Sequence, residues 1–119
     1  MANAFKSFAE PNIAIDSGTY TTMYTALNGK ETILLEIDIA NRTSSDITCD
    51  CKINKKSTHA SANDIFIIKG APLPAGGALK VVSGQKIVRE GSATGLDTIT
   101  VAASAASAAD CLVSLLEDV

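Results

Sequence analysis

Between residues 31 and 53, apolar and polar positions alternate twice, on either side of one polar break. Ile33, Leu35, Ile37 and Ile39 interleave with Thr32, Leu34, Glu36, Asp38 and Ala40. After Asn41-Arg42-Thr43-Ser44-Ser45-Asp46, a second alternation sets Ile47, Cys49, Cys51 and Ile53 against Thr48, Asp50, Lys52 and Asn54. Successive strand side chains point to opposite faces, so this period of two predicts two strands, each with one apolar face. The polar turn between them predicts an antiparallel hairpin laid on a core through one side.

From residue 11 onward the remaining signals are also those of strands. Ile13 and Ile15 stop at the breaker Asp16-Ser17-Gly18, and residues 19–26 are a run of strand-favouring Thr, Tyr and Met. Asn28-Gly29 is a tight-turn dipeptide leading into residue 31. Residues 55–63 are small and polar, as in a loop. Asp64-Ile65-Phe66-Ile67-Ile68 is a continuous apolar run, the pattern of a strand buried on both faces or leading into an interface. Pro72 and Pro74 donate no ladder hydrogen bond, so 70–77 reads as a loop or edge crossing. Strands over 78–82 and 85–89, joined by a Ser83-Gly84 turn, are followed by 96–102 and 110–116. The Ala/Ser-rich 104–109 is too short for an isolated helix and reads as a loop with one helical turn at most. Eight or nine short strands, with turn signals roughly every 8–12 residues, predict an all-β fold: an antiparallel β-sandwich of jelly-roll-like form.

That domain spans residues 11–119, and residues 1–10 form an N-terminal arm. Phe5 and Phe8 sit three apart, a spacing that would put both on one side of a short helical turn. The chain has three Phe, two Tyr and no Trp, so this arm concentrates its aromatics. It either folds back on its own domain or grips a neighbouring subunit.

Composition narrows the function classes. The 119 residues suit one domain, and 46% hydrophobic residues exclude disorder. Only 19% are charged, which is sparse for a free monomer and points to surface covered by partners. The net charge is −3, and the densest basic run, Lys52, Lys55 and Lys56, has no interleaved aromatics, so no nucleic-acid partner is expected. Three cysteines exclude a full disulfide framework, and Cys49 and Cys51 lie two apart on one strand face, where they do not converge for a bridge. They read as buried reduced thiols, which implies a reducing compartment of synthesis. Met1 to Phe8 lacks the basic and apolar regions of a signal peptide, and no apolar run approaches the ~20 residues of a membrane span. A soluble chain without a membrane partner is expected. Asn41-Arg42-Thr43 is a glycosylation sequon, but carries no weight without a secretory signal.

No motif carries chemistry. His59 is the single histidine and sits in a polar loop without ligand-spaced partners; Cys49-x-Cys51 lacks the spacing of a zinc site. Nucleophile-elbow and phosphate-loop patterns are missing, and Gly91-Ser92-Ala93-Thr94-Gly95 reads as a turn. Glu36, Asp38 and Asp50 are expected on one sheet face, where carboxylates could form a glycosidase pair or calcium site. Lys52 is expected on that face as well, and cross-strand charge pairing accounts for the set. No catalytic residue, metal site or cofactor is implied, and no enzyme is expected. The charge-poor strands at 96–104 and 111–116 must be covered by their own fold or by another copy, which predicts a homo-oligomer. Phe5, Phe8, Phe66, Leu112 and Leu116 are the candidate interface residues.

Three segments together carry a family resemblance. They are Tyr24-Thr25-Ala26-Leu27-Asn28-Gly29-Lys30-Glu31-Thr32 with Ile39-Ala40-Asn41-Arg42-Thr43-Ser44-Ser45; Ile68-Lys69-Gly70-Ala71-Pro72-Leu73-Pro74-Ala75-Gly76-Gly77; and Gly84-Gln85-Lys86-Ile87-Val88-Arg89-Glu90. With the ending from Ala102 to Glu117, they resemble small all-β virion structural proteins of tailed bacteriophages, especially those of marine bacteria and cyanobacteria. Cys49, Cys51 and Cys111 stand where that pattern would carry Val or another apolar residue. The resemblance implies a particle component assembled in the host cytoplasm and located in the virion. Its first implied role is a capsid decoration or cement protein on the major capsid protein; the alternative is a neck or tail component on connector or tail subunits. A host-surface binding module is the reading from another class, and 4% aromatics without Trp weigh against sugar binding.

Overall fold

In this computed structural model the described residues are 3–27, 30–54, 64–89 and 96–118, with backbone alone at 3, 64, 82–89 and 118. The Asn28-Gly29 turn, the loop holding His59, Lys55 and Lys56, and the glycine-flanked turn at 91–95 lie outside them. Eight strands are described: β1 (Asn3–Glu10), β2 (Thr21–Thr25), β3 (Glu31–Asn41), β4 (Ile47–Asn54), β5 (Asp64–Leu73), β6 (Ala78–Arg89), β7 (Thr98–Ala103) and β8 (Ala109–Asp118). Every strand pairing is antiparallel. Sheet I runs β1-β8-β3-β6 and sheet II runs β2-β7-β4-β5. The all-β sandwich is therefore the fold.

β3 and β4 are not a hairpin. β3 lies in the middle of sheet I and β4 in the middle of sheet II, so residues 42–46 cross between the layers. Asn41 makes the crossing possible. Its buried amide nitrogen donates to the carbonyls of Ser45 (2.8 Å) and Leu73 (3.1 Å), and its Oδ1 accepts from the Thr43 N–H (2.9 Å) and hydroxyl (2.7 Å). A buried side-chain amide satisfied on both ends is a strong local constraint, since an unpaired one costs about 1–3 kcal/mol. The sequon asparagine is thus a structural joint.

The alternation in β3 also breaks. Leu34 pairs with Leu115, Glu36 with Ser114, so Leu35 is an extra residue on β3, a β-bulge. The phase slips there: Thr32, Leu34, Ile37, Ile39 and Asn41 face the core, and Ile33 and Leu35 turn outward with partial exposure. A second bulge, between Thr22 and Tyr24 in β2, lets the consecutive Met23 and Tyr24 both be buried. The core between the sheets is built from Ile13, Leu34, Ile37, Ile39 and Val113 on one side and Leu73, Ile99 and Val101 on the other.

Three further expectations change. Residues 3–10 form no helical turn; they are edge strand β1, paired with β8. In a strand, residues three apart face opposite ways, so Phe5 points out and Phe8 in. Residues 78–89 form one strand, with irregular register near Ser83 in place of a turn. β5 runs through Pro72 because it is the outer edge of sheet II, where a missing donor leaves no ladder bond broken. Its bulge sits at Lys69-Gly70, where Gly70 adopts the left-handed φ of 62° that glycine tolerates without penalty.

The phase slip can be tested by two matched truncations. Ile37→Ala, at a fully buried position, should lower the unfolding free energy by about 2–5 kcal/mol in urea titrations. Ile33→Ala should change it by about 1 kcal/mol or less. Equal losses would put both residues in the core and remove the bulge.

Candidate functional site

The outer face of sheet I collects most of the interface candidates. Register aligns Phe5 on β1 with Leu116 on β8 and Ile33 on β3, three apolar side chains in one transverse row. On the backbone, Ile33 is paired in turn with position 87 of β6. Leu35, released by the bulge, lies with Phe5 and Ser114 around a shallow hollow beside that row. Phe5 is 78% exposed and Leu112, two rows along, 45%. Phe5, Leu112 and Leu116 therefore share one face. Phe8 turns inward, its ring 5.4 Å from that of Tyr24, and Phe66 lies on the far edge of sheet II.

The second strip of that face is acidic. Glu36 and Asp38 project beside Leu112, with Lys80 3.4 Å from Glu36. Partial burial pushes the Asp38 carboxyl up to about 6, aided by its hydrogen bond to Glu36 and by that neighbour's charge. Glu36 is held below its ordinary range by the hydrogen bond from Asp38, with Lys80 assisting. Asp50, expected on the same face, lies instead in sheet II and is buried. Its carboxylate takes the Tyr20 hydroxyl at 2.5 Å and the Gly70 N–H at 2.6 Å, and so pins the β5 bulge. The three carboxylates do not form one site, because their strands belong to different sheets.

At the open end between β1 and β2 a polar knot joins the sheets. The Tyr24 hydroxyl donates to Glu117 Oε2 (2.6 Å) and shares a hydrogen bond with Thr32 Oγ1 (2.9 Å), while Lys6 Nζ meets Glu117 Oε1 at 3.0 Å. Burial and the Glu117 carboxylate push the Tyr24 phenol up to about 12. Burial alone would raise Glu117, but hydrogen bonds from Tyr24 and Lys6 outweigh it and hold the carboxyl below its ordinary value. A charged carboxylate and a phenol that stays protonated make a fastening, not an acid–base pair.

Sequence spacing hides one cluster. On the outside of sheet II, Lys52 Nζ stands 4.0 Å over the Tyr20 ring and 5.6 Å from the Phe66 ring, which Lys69 approaches at 4.8 Å. These residues are up to 49 positions apart (20 to 69), so no local motif announces them. The strand pairing Lys52↔Phe66 brings them together.

Cys49, Cys51 and Cys111 are free and buried, as expected of small apolar residues. Burial pushes the Cys49 thiol up to about 11 and those of Cys51 and Cys111 to about 12, so all three stay protonated and unreactive. Among the described residues no group of three His, Cys, Asp or Glu side chains could hold a metal ion.

No protein-family model and no curated protein matches the chain. Solved structures do match. Over 97% of its length, the chain superposes on a chain of the T13 particle of infectious bursal disease virus (IBDV), with a TM-score of 0.53 at 8% identity. A structure of the Gx strain of the same virus gives 0.52 at 11% over 97% of this chain. T=1 particles derived from the virus give 0.52 at 10% over 97%. These structural neighbours are chains of virus particles. At such identities the likeness is one of fold, and this chain spans 30%, 32% and 31% of the respective neighbours.

The polar knot predicts a pH signature. Glu117 has a lower pKa folded than unfolded, so its contribution is complete above the ordinary value of 4.5 and is lost as the pH falls through the folded value. Asp38 acts in the opposite sense: raised to about 6, it favours the folded state as pH drops from about 6 toward its ordinary 3.8. Tyr24→Phe should cost about 1–3 kcal/mol at pH 7 and flatten the acid-side loss, and Asp38→Asn should remove the gain between pH 6 and 4. Urea titrations from pH 3 to 7 measure both; unchanged profiles would detach these residues from the stability of the fold.

Proposed function

We propose that this chain is a structural subunit of a virus particle, which works by burying surface against neighbouring subunits. The observation that carries this reading is the Phe5–Leu116–Ile33 row on the outer face of sheet I. A sandwich normally keeps its outer faces polar, so a transverse apolar row suits a covered face. The fold likeness to chains of IBDV particles supports the same reading. The resemblance to tailed-phage virion proteins supports the finer role: a capsid decoration or cement protein that assembles as a homo-oligomer on the major capsid protein in the host cytoplasm. The chemistry of the described sites suits mechanical work. The buried carboxylates of Asp50 and Glu117 are tied into fastenings, and the three thiols are neutral and buried.

Fully burying a Phe or Leu side chain contributes about 1.5–3 kcal/mol, so Phe5 alone is sufficient to shift an assembly equilibrium by roughly tenfold or more. Phe5→Ser, with its side chain already mostly in water, should leave the unfolding midpoint unchanged and reduce copies per particle by roughly tenfold at limiting protein. Quantitative mass spectrometry of purified particles reads the copy number. Undiminished loading of the variant, or a wild-type monomer that never joins particles, would overturn the reading.

A further inference from the structure

The outer face of sheet I holds a groove of about 390 Å³ beside the apolar row. Its floor is apolar, formed by Ala9, Pro11, Ala40 and Leu112, and Glu10 and Asp38 stand on its rim. Asp110, also at the rim, is tied to Arg42 at 2.9 Å and nearby Glu36 to Lys80 at 3.4 Å, so Glu10 and Asp38 carry its acidic character. The β5 edge presents the opposite relief. Phe66 is 41% and Ile65 47% exposed, and two ammonium groups flank the Phe66 ring: Lys69 at 4.8 Å, exposed although 4.0 Å from Asp50, and Lys52 at 5.6 Å, seated over Tyr20. A cavity of about 150 Å³ suffices to hold a benzene ring, so the groove has room for a phenyl group with lysine stems around it.

Knob and groove cannot meet in one molecule. The knob is on the outer edge of sheet II, and the groove is on the outer face of sheet I between β1 and β3. We propose that they meet between two copies of this chain: Phe66 of one copy enters the groove of the next, with its lysines against Glu10 and Asp38. The occupant is a second copy because apolar match and charge complementarity are both present on the same polypeptide. The contact is heterologous, since different patches face each other, and repeating it generates a ring or an extended array. Being partly ionic, it weakens with salt. The inference rests on the reading of the chain as a particle subunit and supplies the geometry of its self-contact.

Charge reversal with complementation tests it. Glu10→Lys/Asp38→Lys and Lys52→Glu/Lys69→Glu are each made in the full chain, with circular dichroism checking the fold; the exposed single changes Glu10→Lys and Lys69→Glu replace any double variant that unfolds. Sedimentation velocity across protein concentrations should show association of the wild type and a loss of roughly tenfold or more in each variant alone. A 1:1 mixture of the two variants should recover association between unlike chains, and Phe66→Ser should lose it without recovery. A monomeric wild type, variants that associate as the wild type does, or a mixture that fails to recover would each overturn the inference. Single-stranded oligonucleotide bound by the wild type and lost in Lys52→Glu/Lys69→Glu, with no recovery in the mixture, would overturn it in favour of a nucleic-acid patch. Particle loading of labelled wild-type protein is read alongside: loading without complementation removes this contact and leaves the subunit reading standing, whereas no loading removes the subunit reading.

Discussion

One extra residue in β3 decides which apolar side chains the molecule keeps and which it shows. Without the bulge at Leu35, strict alternation would place Ile33, Leu35, Ile37 and Ile39 on one face. With it, Ile37 and Ile39 fill the core with Leu34, and Ile33 is released to the outside beside Leu116 and Phe5. Glu36 and Asp38 face outward with Leu112 in either register, so the slip sets Ile33 and Leu35 on the face that already carries them. The outer face of sheet I thereby acquires an apolar row and an acidic strip side by side. Its capacity for contact follows from a single change of register.

Satisfied polar groups hold this arrangement in place. Asn41 fixes the crossing from sheet I to sheet II, Asp50 fixes the bulge in β5, and the Tyr24–Glu117–Thr32 knot with Lys6 closes the open end between β1 and β2. Each is a buried side chain with more than one partner, so each is costly to displace. They act at the places where the backbone departs from regular geometry, and the apolar core fills the space between them. Such a wall suits presentation of fixed surfaces better than movement.

Much of this is legible in the sequence, and the failures have physical causes. The alternations in 31–40 and 47–53 reveal β3 and β4, the continuous run at 64–68 reveals β5, and turn residues bracket β7 and β8. The bulge is not legible, because Leu34 and Leu35 are equally apolar and either could face the core. Nor is the sheet crossing: a six-residue polar segment joins strands of one sheet or of two, and the burial of Asn41 is settled by Ser45 and Leu73, the latter 32 residues away. Phe5 and Phe8 lack local periodicity, and only pairing with β8 separates them onto opposite faces. Phe5, Leu112 and Leu116 are readable as apolar residues in charge-poor segments, while their union on one face is a property of register. The Lys52–Phe66–Lys69 cluster depends on β4–β5 pairing and carries no local signal at all.

On the proposed reading the sandwich is a mount for a surface that a neighbour covers, and side-chain solvent access in the particle is the most direct measure of that. Hydroxyl-radical footprinting of the free chain and of the chain in intact particles compares Phe5, Leu112 and Leu116 with Ile15, an exposed residue outside both proposed contact surfaces. Strong labelling of Phe5, Leu112 and Leu116 in the free chain, replaced by protection of all three in the particle, is the expected result. Equal labelling of the three in both states would contradict the claim that this face is where the subunit is held.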